Sequence, residues 1–253
     1  MTAVGHMALS VRGLCKSFGA LPVAQSIDLD LAPGARHALI GPNGAGKTTF
    51  VNLLTGMLAP DSGSIRLGAD TIDKLKPEDR VRRGLARTHQ INTLLNETSV
   101  RDNVAIAIAE RDGIAWRMFR FMKEWRDCLE ESDSRLKEFG IADVGDRRVA
   151  ELPYGKQRLL EIAIALTLKP RVLLLDEPAA GVPAAEAHVI HDALGRLPRE
   201  IAILIIEHDM DVVFRFAREI TVLVQGKILT SGAPTKIAAD PEVRAVYLGR
   251  SVR

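Results

Sequence analysis

The chain has 253 residues, with 34 basic and 32 acidic side chains and a formal net charge of +2. This length can bury a full core, as one large α/β domain or as two small ones. The near balance of charge argues against a dedicated nucleic-acid binder. Cys15 and Cys128 offer neither a metal-ligand spacing nor a disulfide framework, which fits a reducing compartment. No apolar run approaches the roughly 20 residues that span a bilayer, and we expect no signal peptide.

The first forty residues predict short strands that lead into a glycine-rich loop. Residues 8–11 and 27–31 alternate between apolar and polar side chains, as half-buried strands do, and a Pro33-Gly34 turn follows. Residues 38–40 are all apolar and predict a buried parallel strand that ends at the loop.

Residues 41–49 match the phosphate-loop pattern G-x-x-x-x-G-K-[ST] without a mismatch. Glycines let backbone N–H groups point at phosphate oxygens, and a following helix adds partial positive charge. We expect Lys47 to reach the β- and γ-phosphates and the Thr48 hydroxyl to hold Mg²⁺. The loop predicts binding of ATP or GTP through Asn43, Gly44, Ala45, Gly46, Lys47, Thr48 and Thr49. The apolar side chains behind it recur at the spacing of a helix packed on one side: Phe50, Leu53, Leu54 and Met57.

The rest of the chain alternates strand and helix patterns. A turn is predicted at residues 60–63, charged helices across 102–139, a turn at 112–113 and a short helical tail near 243–248. This layout predicts an α/β core interrupted by a mostly helical insert. Further strands are predicted at residues 65–67, 172–175, 201–206 and 220–224.

Two carboxylates follow the apolar run at residues 172–175, which predicts a parallel strand covered on both faces. Ligands of open α/β sheets bind at the carboxyl ends of such strands. Asp176 can hold Mg²⁺ there, directly or through water. Glu177 can orient and deprotonate an attacking water, because phosphoryl transfer depends on positioning and charge.

Residues 152–158, Leu-Pro-Tyr-Gly-Lys-Gln-Arg, open a predicted helix. Pro153 suits a first helical turn, where its missing N–H costs nothing. Judged alone, the segment reads as an ordinary amphipathic helix. Its apolar face is expected to carry Leu159, Ile162, Ala163 and Leu166.

Together these motifs resemble the nucleotide-binding subunits of ABC transporters over residues 8–232. The resemblance rests on residues 41–49 as Walker A, 152–158 as the signature, 172–177 as Walker B and 207–209 as the switch-histidine region. Within the family, the stretches LPYGKQRLLEIA, DEPAAGV and VYLG look like the ATPases of branched-chain amino-acid importers. Close relatives of those ATPases handle urea, short amides or aromatic acids.

The resemblance implies an α/β P-loop core with an N-terminal antiparallel β subdomain and a helical insert subdomain. It implies one nucleotide-binding domain over residues 8–253, with a core of about 8–89 and 152–235. The insert would cover about 90–151 and the tail 236–253. Two such cassettes, identical or not, would face head to tail and bind transmembrane permease subunits on the inner, cytoplasmic face of the cell membrane. A periplasmic solute-binding protein would act indirectly, and no nucleic acid is expected.

The resemblance also assigns residue roles. Phe18 would stack on adenine beside Val23, although a plain core aromatic is the alternative for Phe18. Gln90 would reach Mg²⁺ or the attacking water while its loop touches the membrane partner. His208 would hold the γ-phosphate and Glu177 in a working arrangement. The implied catalytic residues are Glu177, His208, Lys47 and Gln90. The implied metal ligands are Thr48, Gln90 and Asp176. The residues expected to contact the nucleotide of the opposing cassette are Tyr154, Gly155 and Lys156.

Several positions depart from the family pattern. Pro153 replaces the usual signature Ser, so its hydroxyl contact is missing, and Tyr154 stands where Gly is usual. Lys156 replaces a Gln and could add positive charge. Pro183 occupies the place of an Asp that crosses the dimer seam, and His89 stands where an aromatic is expected. Lys47, Asp176 and Glu177 are all present, so hydrolysis should survive.

Two apolar segments have more than one interpretation. Ile91, Leu94 and Leu95 either cap the helical insert or pack against a transmembrane subunit. The basic and aromatic stretch from Trp116 to Trp125 either packs on its own subdomain, touches that partner or lies on anionic lipid. Its members are Trp116, Phe119, Phe121, Met122 and Trp125, interleaved with Arg117, Arg120, Lys123 and Arg126.

Two other function classes remain open at this point. One is a soluble ABC-type ATPase of DNA repair or translation, although long coiled coils, zinc modules and a second cassette are missing from the sequence. The other is a GTPase or small-molecule kinase, which the signature and switch-histidine elements disfavour and for which no guanine-selective N-K-x-D occurs.

Overall fold

The structure is a computed structural model that describes residues 7–88, 94–114 and 121–248. The chain divides into two compact units. The first comprises Met1–Leu85, Arg171–Glu177 and Pro198–Arg253, and the second comprises Ala86–Pro170 and Pro178–Leu197. The second unit therefore extends beyond the 90–151 insert expected from the sequence.

The strands, in chain order, are β1 (Leu9–Phe18), β2 (Leu21–Leu31), β3 (Arg36–Ile40), β4 (Ser62–Leu67), β5 (Asp70–Thr71), β6 (Leu85–Arg87), β7 (Val172–Asp176), β8 (Ala202–Ile206), β9 (Glu219–Val224) and β10 (Lys227–Gly232). The helices are α1 (Lys47–Thr55), α2 (Pro77–Arg82), α3 (Val100–Arg111), α4 (Phe121–Glu138), α5 (Tyr154–Thr167), α6 (Ala184–Gly195), α7 (Met210–Phe216), α8 (Pro234–Ala239) and α9 (Pro241–Leu248).

Two sheets organise the first unit. An antiparallel sheet has the order β2-β1-β4-β5, and a mixed sheet has the order β10-β9-β3-β8-β7-β6. In the mixed sheet, β3 runs parallel to β8 and β9, and β7 runs parallel to β8. All five residues of β7 and of β8 are buried, as expected for strands covered on both faces. In β2, by contrast, buried Ile27, Leu29 and Leu31 alternate with Asp28 and Asp30.

One apolar core joins the two sheets to α1. It contains residues of β1, β2 and β4 together with residues of β3, β7 and β8. Phe50, Val51, Leu53 and Leu54 supply the buried face of α1 to the same core. The helix that follows the phosphate loop is therefore fixed by packing against both sheets.

Two local expectations were wrong. Met57 was expected on the buried face of the helix after the loop, but α1 ends at Thr55 and Met57 is 62% exposed. The cause is Gly56, which adopts the left-handed conformation that commonly ends helices (φ 81). The turn at 60–63 is also shorter than predicted, because Ser62 already pairs with Cys15 of β1.

The second unit is mainly helical in its described part. Helix α3 packs against α4 and α5, and α5 packs against α6. Ser99 caps α3 by accepting a hydrogen bond from the Asp102 N–H. Arg111, at the end of α3, pairs with Glu131 of α4 at 2.7 Å and donates to the Thr167 carbonyl of α5 at 2.9 Å. Among the residues that the structure describes, no helix is long and apolar enough to cross a membrane.

Candidate functional site

The phosphate loop (residues 41–49) leads from the end of β3 into the first turn of α1. Gly46 caps the helix in a left-handed conformation (φ 102). A Cβ at Gly46 would lie 2.6 Å from the Val23 carbonyl oxygen, and one at Gly41 would lie 2.1 Å from the Leu223 carbonyl oxygen. Neither position has room for a side chain, so the loop's path depends on these glycines. The N-terminus of α1 and the exposed Thr48 follow directly.

Lys47 lies over the loop. Its Nζ donates to the carbonyls of Gly41 at 2.7 Å and Pro42 at 3.1 Å. Burial lowers the pKa of Lys47, while the charges of Glu177 and Asp176 act in the opposite direction. Both Walker B carboxylates therefore act electrostatically on this cation.

The two carboxylates stand at the carboxyl end of β7, as the sequence predicts. Asp176 ends the strand and is 8% exposed. Glu177 has a positive φ of 48° and its N–H donates to the Ile206 carbonyl at 2.9 Å. A non-glycine residue in this region is strained, and such strain is concentrated at functional sites. The turn leaves the Glu177 side chain 43% exposed, where it can meet a water molecule.

His208 follows β8 and lies beside Glu177. Its Nδ1 is 3.7 Å from Glu177 Oε1 and 3.9 Å from Glu207 Oε2, and the side chain is 63% exposed. Lys47, Asp176, Glu177 and His208 all belong to the first unit. The sequence-predicted catalytic residues that the structure describes thus gather at the carboxyl end of the parallel strands.

Sequence reasoning gave no role to Glu207, which the structure places next to this group. Its side chain is 1% exposed, and its Oε2 accepts the His208 N–H at 3.1 Å. Carboxylates are rarely buried so completely unless they are held by partners. The sequence feature that points to Glu207 is its position directly after the apolar strand β8. Asp209 next to it caps α7 by accepting from the N–H groups of Asp211 and Val212.

Phe18 lies at the end of the β1–β2 hairpin, where it pairs with Leu21. The Phe18 side chain is 52% exposed and that of Leu21 is 66% exposed. A plain core aromatic is therefore the wrong interpretation of Phe18. Val23 is half-buried on β2, and its carbonyl lies against Gly46 of the phosphate loop.

The signature residues begin α5 in the second unit. Pro153 occupies the N-cap rather than the first helical turn. The Arg158 guanidinium lies 4.9 Å from the centroid of the Tyr154 ring, which is 41% exposed. Lys156 Nζ forms an ion pair with Asp143 at 2.7 Å. This pair competes with the expected use of Lys156 as a phosphate contact.

Gly155 has a close neighbour in α6. A Cβ at this position would lie 2.7 Å from a carboxylate oxygen of Glu186. Glycine therefore lets the start of α5 approach that side chain.

Several residues with predicted roles lie outside the described residues: His89, Gln90, Ile91, Trp116, Arg117, Phe119 and Arg120. Of the neighbouring apolar residues, Leu95 is 42% exposed. Its backbone is tied to α3 through Asn103, whose Oδ1 accepts the Leu95 N–H at 2.8 Å. Trp125 is half-buried on α4.

Oxygen donors suited to Mg²⁺ are present in the first unit. Thr48, an exposed residue within the phosphate loop, offers a hydroxyl, and Asp176 offers a carboxylate whose charge acts on Lys47 of the same loop. Within the described ranges, no group of three or more His, Cys, Asp or Glu side chains could hold a metal ion by itself. This donor set fits Mg²⁺, which typically takes one or two protein ligands and completes its shell with phosphate oxygens and water.

Comparisons with known proteins identify relatives of this chain. Residues 24–180 match the sequence profile of the family described as ABC transporter. The chain is 35% identical to the high-affinity branched-chain amino acid transport ATP-binding protein LivG of Escherichia coli K12, over 96% of this chain and 98% of that protein. It is 35% identical, with the same coverage, to BraF of Pseudomonas aeruginosa, which carries the same description.

Solved structures are similar as well. The fold superimposes with a TM-score of 0.82 and 29% identity on a nucleotide-free ATP-binding cassette from an ABC transporter, covering 95% of this chain and 98% of that one. An ATP-binding cassette in its ADP conformation gives the same TM-score and identity, with 96% and 99% coverage.

Proposed function

The chain belongs to the ABC transporter family and is an ATPase of that family, and from this premise we propose that it drives an importer of branched-chain amino acids or related small polar, amide or aromatic solutes. The relatives named above are branched-chain amino acid transport proteins, which supports this substrate class. The same names count against a soluble ATPase of DNA repair or translation.

One observation carries the catalytic part of the proposal. Glu177 lies 3.7 Å from His208 and acts electrostatically on Lys47, and the three residues come from separate segments of the first unit. In the proposed reaction a water oxygen attacks the γ-phosphorus of ATP, the bond to the β-phosphate oxygen breaks, and ADP leaves. Glu177 takes the proton from that water, as a general base within reach of the phosphate loop.

The other side chains orient the reacting groups and neutralise the phosphate charge. Lys47 would move from the Gly41 and Pro42 carbonyls to the β- and γ-phosphate oxygens. His208 would donate to the γ-phosphate and keep the Glu177 carboxylate in place. Thr48 and Asp176, together with Gln90, would hold Mg²⁺, which supplies electrostatic stabilisation of the phosphate charge when bound. Phe18 and Val23 would take the adenine.

The proposed working form contains two cassettes that face head to tail. Each ATP would lie between the phosphate loop of one cassette and Tyr154, Gly155 and Lys156 of the other. The N-terminus of α5 would meet the phosphate with its free N–H groups. The pair would bind transmembrane permease subunits through the Gln90 region, on the cytoplasmic face of the membrane. Hydrolysis should then depend on protein concentration, because half of each site comes from a neighbour.

The test compares Glu177→Gln with Glu200→Gln, an exposed carboxylate elsewhere in the first unit. Glu177→Gln should keep ATP affinity and lower kcat by about 100-fold or more, the usual effect of losing a general base. Glu200→Gln should leave both unchanged. A wild-type hydrolysis rate in Glu177→Gln would contradict the assigned base, and equal specific activity in dilute monomer and assembled complex would contradict the paired cassette.

The importer assignment needs its own measurement. The chain should co-purify with transmembrane subunits when they are produced together, and vesicles containing the complex should take up leucine or isoleucine only when ATP is supplied. Uptake that continues with Glu177→Gln would separate this chain from transport.

A further inference from the structure

The turn between β9 and β10 lies beside the phosphate loop. It consists of Gln225 and Gly226, which both have positive φ, 49° and 79°. Two consecutive residues of this kind form the tight turn that matches the twist of a hairpin. Sequence reasoning assigned it no function, yet it is bonded to two parts of the proposed nucleotide site.

The first bond leads to the phosphate loop. The Gly226 N–H donates to the Ala45 carbonyl at 2.8 Å. Ala45 is buried, with 2% of its surface exposed. An unpaired carbonyl in such a place is unfavourable, so this bond helps to fix the loop where it curls toward α1.

Two further bonds lead to the β1–β2 hairpin, which carries Phe18. The Gln25 N–H donates to the Gly226 carbonyl at 2.8 Å, and Gln25 Nε2 donates to the Gln225 carbonyl at 2.9 Å. The turn therefore holds the hairpin on one side and the phosphate loop on the other, in each case through main-chain atoms of the turn itself.

The packing around the turn leaves no room for a side chain at position 226. A Cβ at Gly226 would lie 2.5 Å from the Val23 carbonyl oxygen, and one at Gly46 would lie 2.6 Å from the same oxygen. The Val23 carbonyl thus packs against both glycines. A Cβ at Gly226 would push β2 away from the phosphate loop.

We infer that Gly226 is a positioning residue that sets the separation between the adenine-binding hairpin and the phosphate loop. The inference rests on the nucleotide site proposed above. ATP spans both parts, so its affinity depends on their separation, whereas tripolyphosphate uses the phosphate loop alone. A change at Gly226 should therefore weaken ATP more than it weakens tripolyphosphate.

The experiment compares Gly226→Ala with Gly13→Ala. Gly13 also has a positive φ, of 55°, but a Cβ there meets nothing within 4 Å, so it reproduces the backbone strain without the collision. Gly226→Ala should raise the Kd and KM for ATP about tenfold, which corresponds to about 1.4 kcal/mol, because the collision with the Val23 carbonyl displaces β2 from the phosphate loop. Its kcat and its tripolyphosphate affinity should change much less. Gly13→Ala should lower only the melting temperature.

Gln25→Ala gives a second test that introduces neither positive-φ strain nor a collision with the Val23 carbonyl. It removes one hydrogen bond and should weaken ATP selectively by about threefold. If Gly226→Ala does not fold, this variant decides the outcome. Equal weakening of ATP and tripolyphosphate, or no weakening of ATP, overturns the inference.

Lys47→Ala separates this result from the proposed function. That variant should lose affinity for both ligands. If it does so while Gly226→Ala and Gln25→Ala keep normal ATP affinity, the site stands and the role of the turn is wrong. Unchanged affinity for both ligands in Lys47→Ala would instead contradict the nucleotide site itself.

Discussion

The Nδ1 atom of His208 lies 3.7 Å from the Oε1 atom of Glu177. The two residues come from the ends of neighbouring parallel strands, β8 and β7, so the sheet register determines their approach. A carboxylate and an imidazole at this distance influence each other's orientation. They are therefore expected to act as one unit in hydrolysis.

Removing either partner of a coupled pair should cost nearly as much as removing both. His208→Ala is expected to lower kcat about 100-fold, which is the lower end of the effect of losing a general acid or base. His208→Ala combined with Glu177→Gln should be little worse than Glu177→Gln alone, because groups that act as a unit are not additive. Steady-state ATPase rates check this, with His188→Ala, an exposed histidine of the second unit, as control. Additive losses would contradict the coupling.

Phe18 should contribute to base binding and not to phosphate binding. Because Phe18 is 52% exposed, Phe18→Ala should fold normally. Base stacking on an aromatic is worth roughly 1–3 kcal/mol, so ATP affinity should fall at least fivefold. Titration calorimetry with ATP and with tripolyphosphate checks this. Phe214→Ala, which removes another partly exposed ring, should leave both affinities unchanged. An unaltered ATP affinity in Phe18→Ala would exclude stacking.

Arg80 should stabilise the far end of α1. Arg80 is only 1% exposed, and its Nη1 donates to the carbonyls of Leu53 and Leu54 at 2.7 Å. It also donates to the Asp73 and Leu75 carbonyls, at 2.8 and 3.1 Å. Arg80→Met should lower the free energy of unfolding by about 3 kcal/mol, because buried carbonyls lose a charged donor.

Equilibrium unfolding in urea measures that loss. Arg80→Lys should recover only part of it, since one ammonium cannot replace a planar fork of donors. Arg82 lies on α2, as Arg80 does, but its side chain is 67% exposed. Arg82→Met should therefore change the free energy of unfolding by less than about 0.5 kcal/mol. Similar losses at both positions would show that the carbonyl contacts are unimportant.

His37 should make the fold sensitive to acid. Its ring is buried, its Nε2 lies 2.8 Å from Thr221 Oγ1, and burial lowers its pKa from the ordinary 6.5, although Glu219 acts in the opposite direction. The folded state therefore disfavours the charged ring. The contribution of the neutral His37 ring to the free energy of unfolding is fully present above pH 6.5. It is lost as the pH falls below that value toward the pKa of the folded state, because the unfolded chain then binds an additional proton.

Unfolding curves of wild type and His37→Gln between pH 8 and 5 test this. The variant should be less stable at pH 8 but should lose less stability over the acid half of the range. Parallel curves would assign the acid sensitivity to other groups.

Local patterns predicted the parts of the site that lie within one segment. The phosphate loop, the strand ending in Asp176 and the helix after Pro153 each have a recognisable period or spacing. Met57 has the spacing of the buried helix face but lies beyond Gly56, whose left-handed conformation ends α1.

Long-range partners could not be predicted in the same way. The bonds of Arg80 to the carbonyls of α1 and the bonds of the Gln225-Gly226 turn join residues far apart in sequence. Hydrophobic periodicity indicates which side of an element is buried but not which polar atoms it meets. The pairing of Lys156 with Asp143 was missed for the same reason.

The shared core around α1 has a consequence for how nucleotide preference can evolve. Phe50, Leu53 and Leu54 face a core to which both sheets contribute, so a change of volume there disturbs the entire unit. The Phe18 and Leu21 side chains, in contrast, mostly face water and can be exchanged at little structural cost. Adaptation to another base should therefore begin in the hairpin, while the helix stays invariant among variants that still fold.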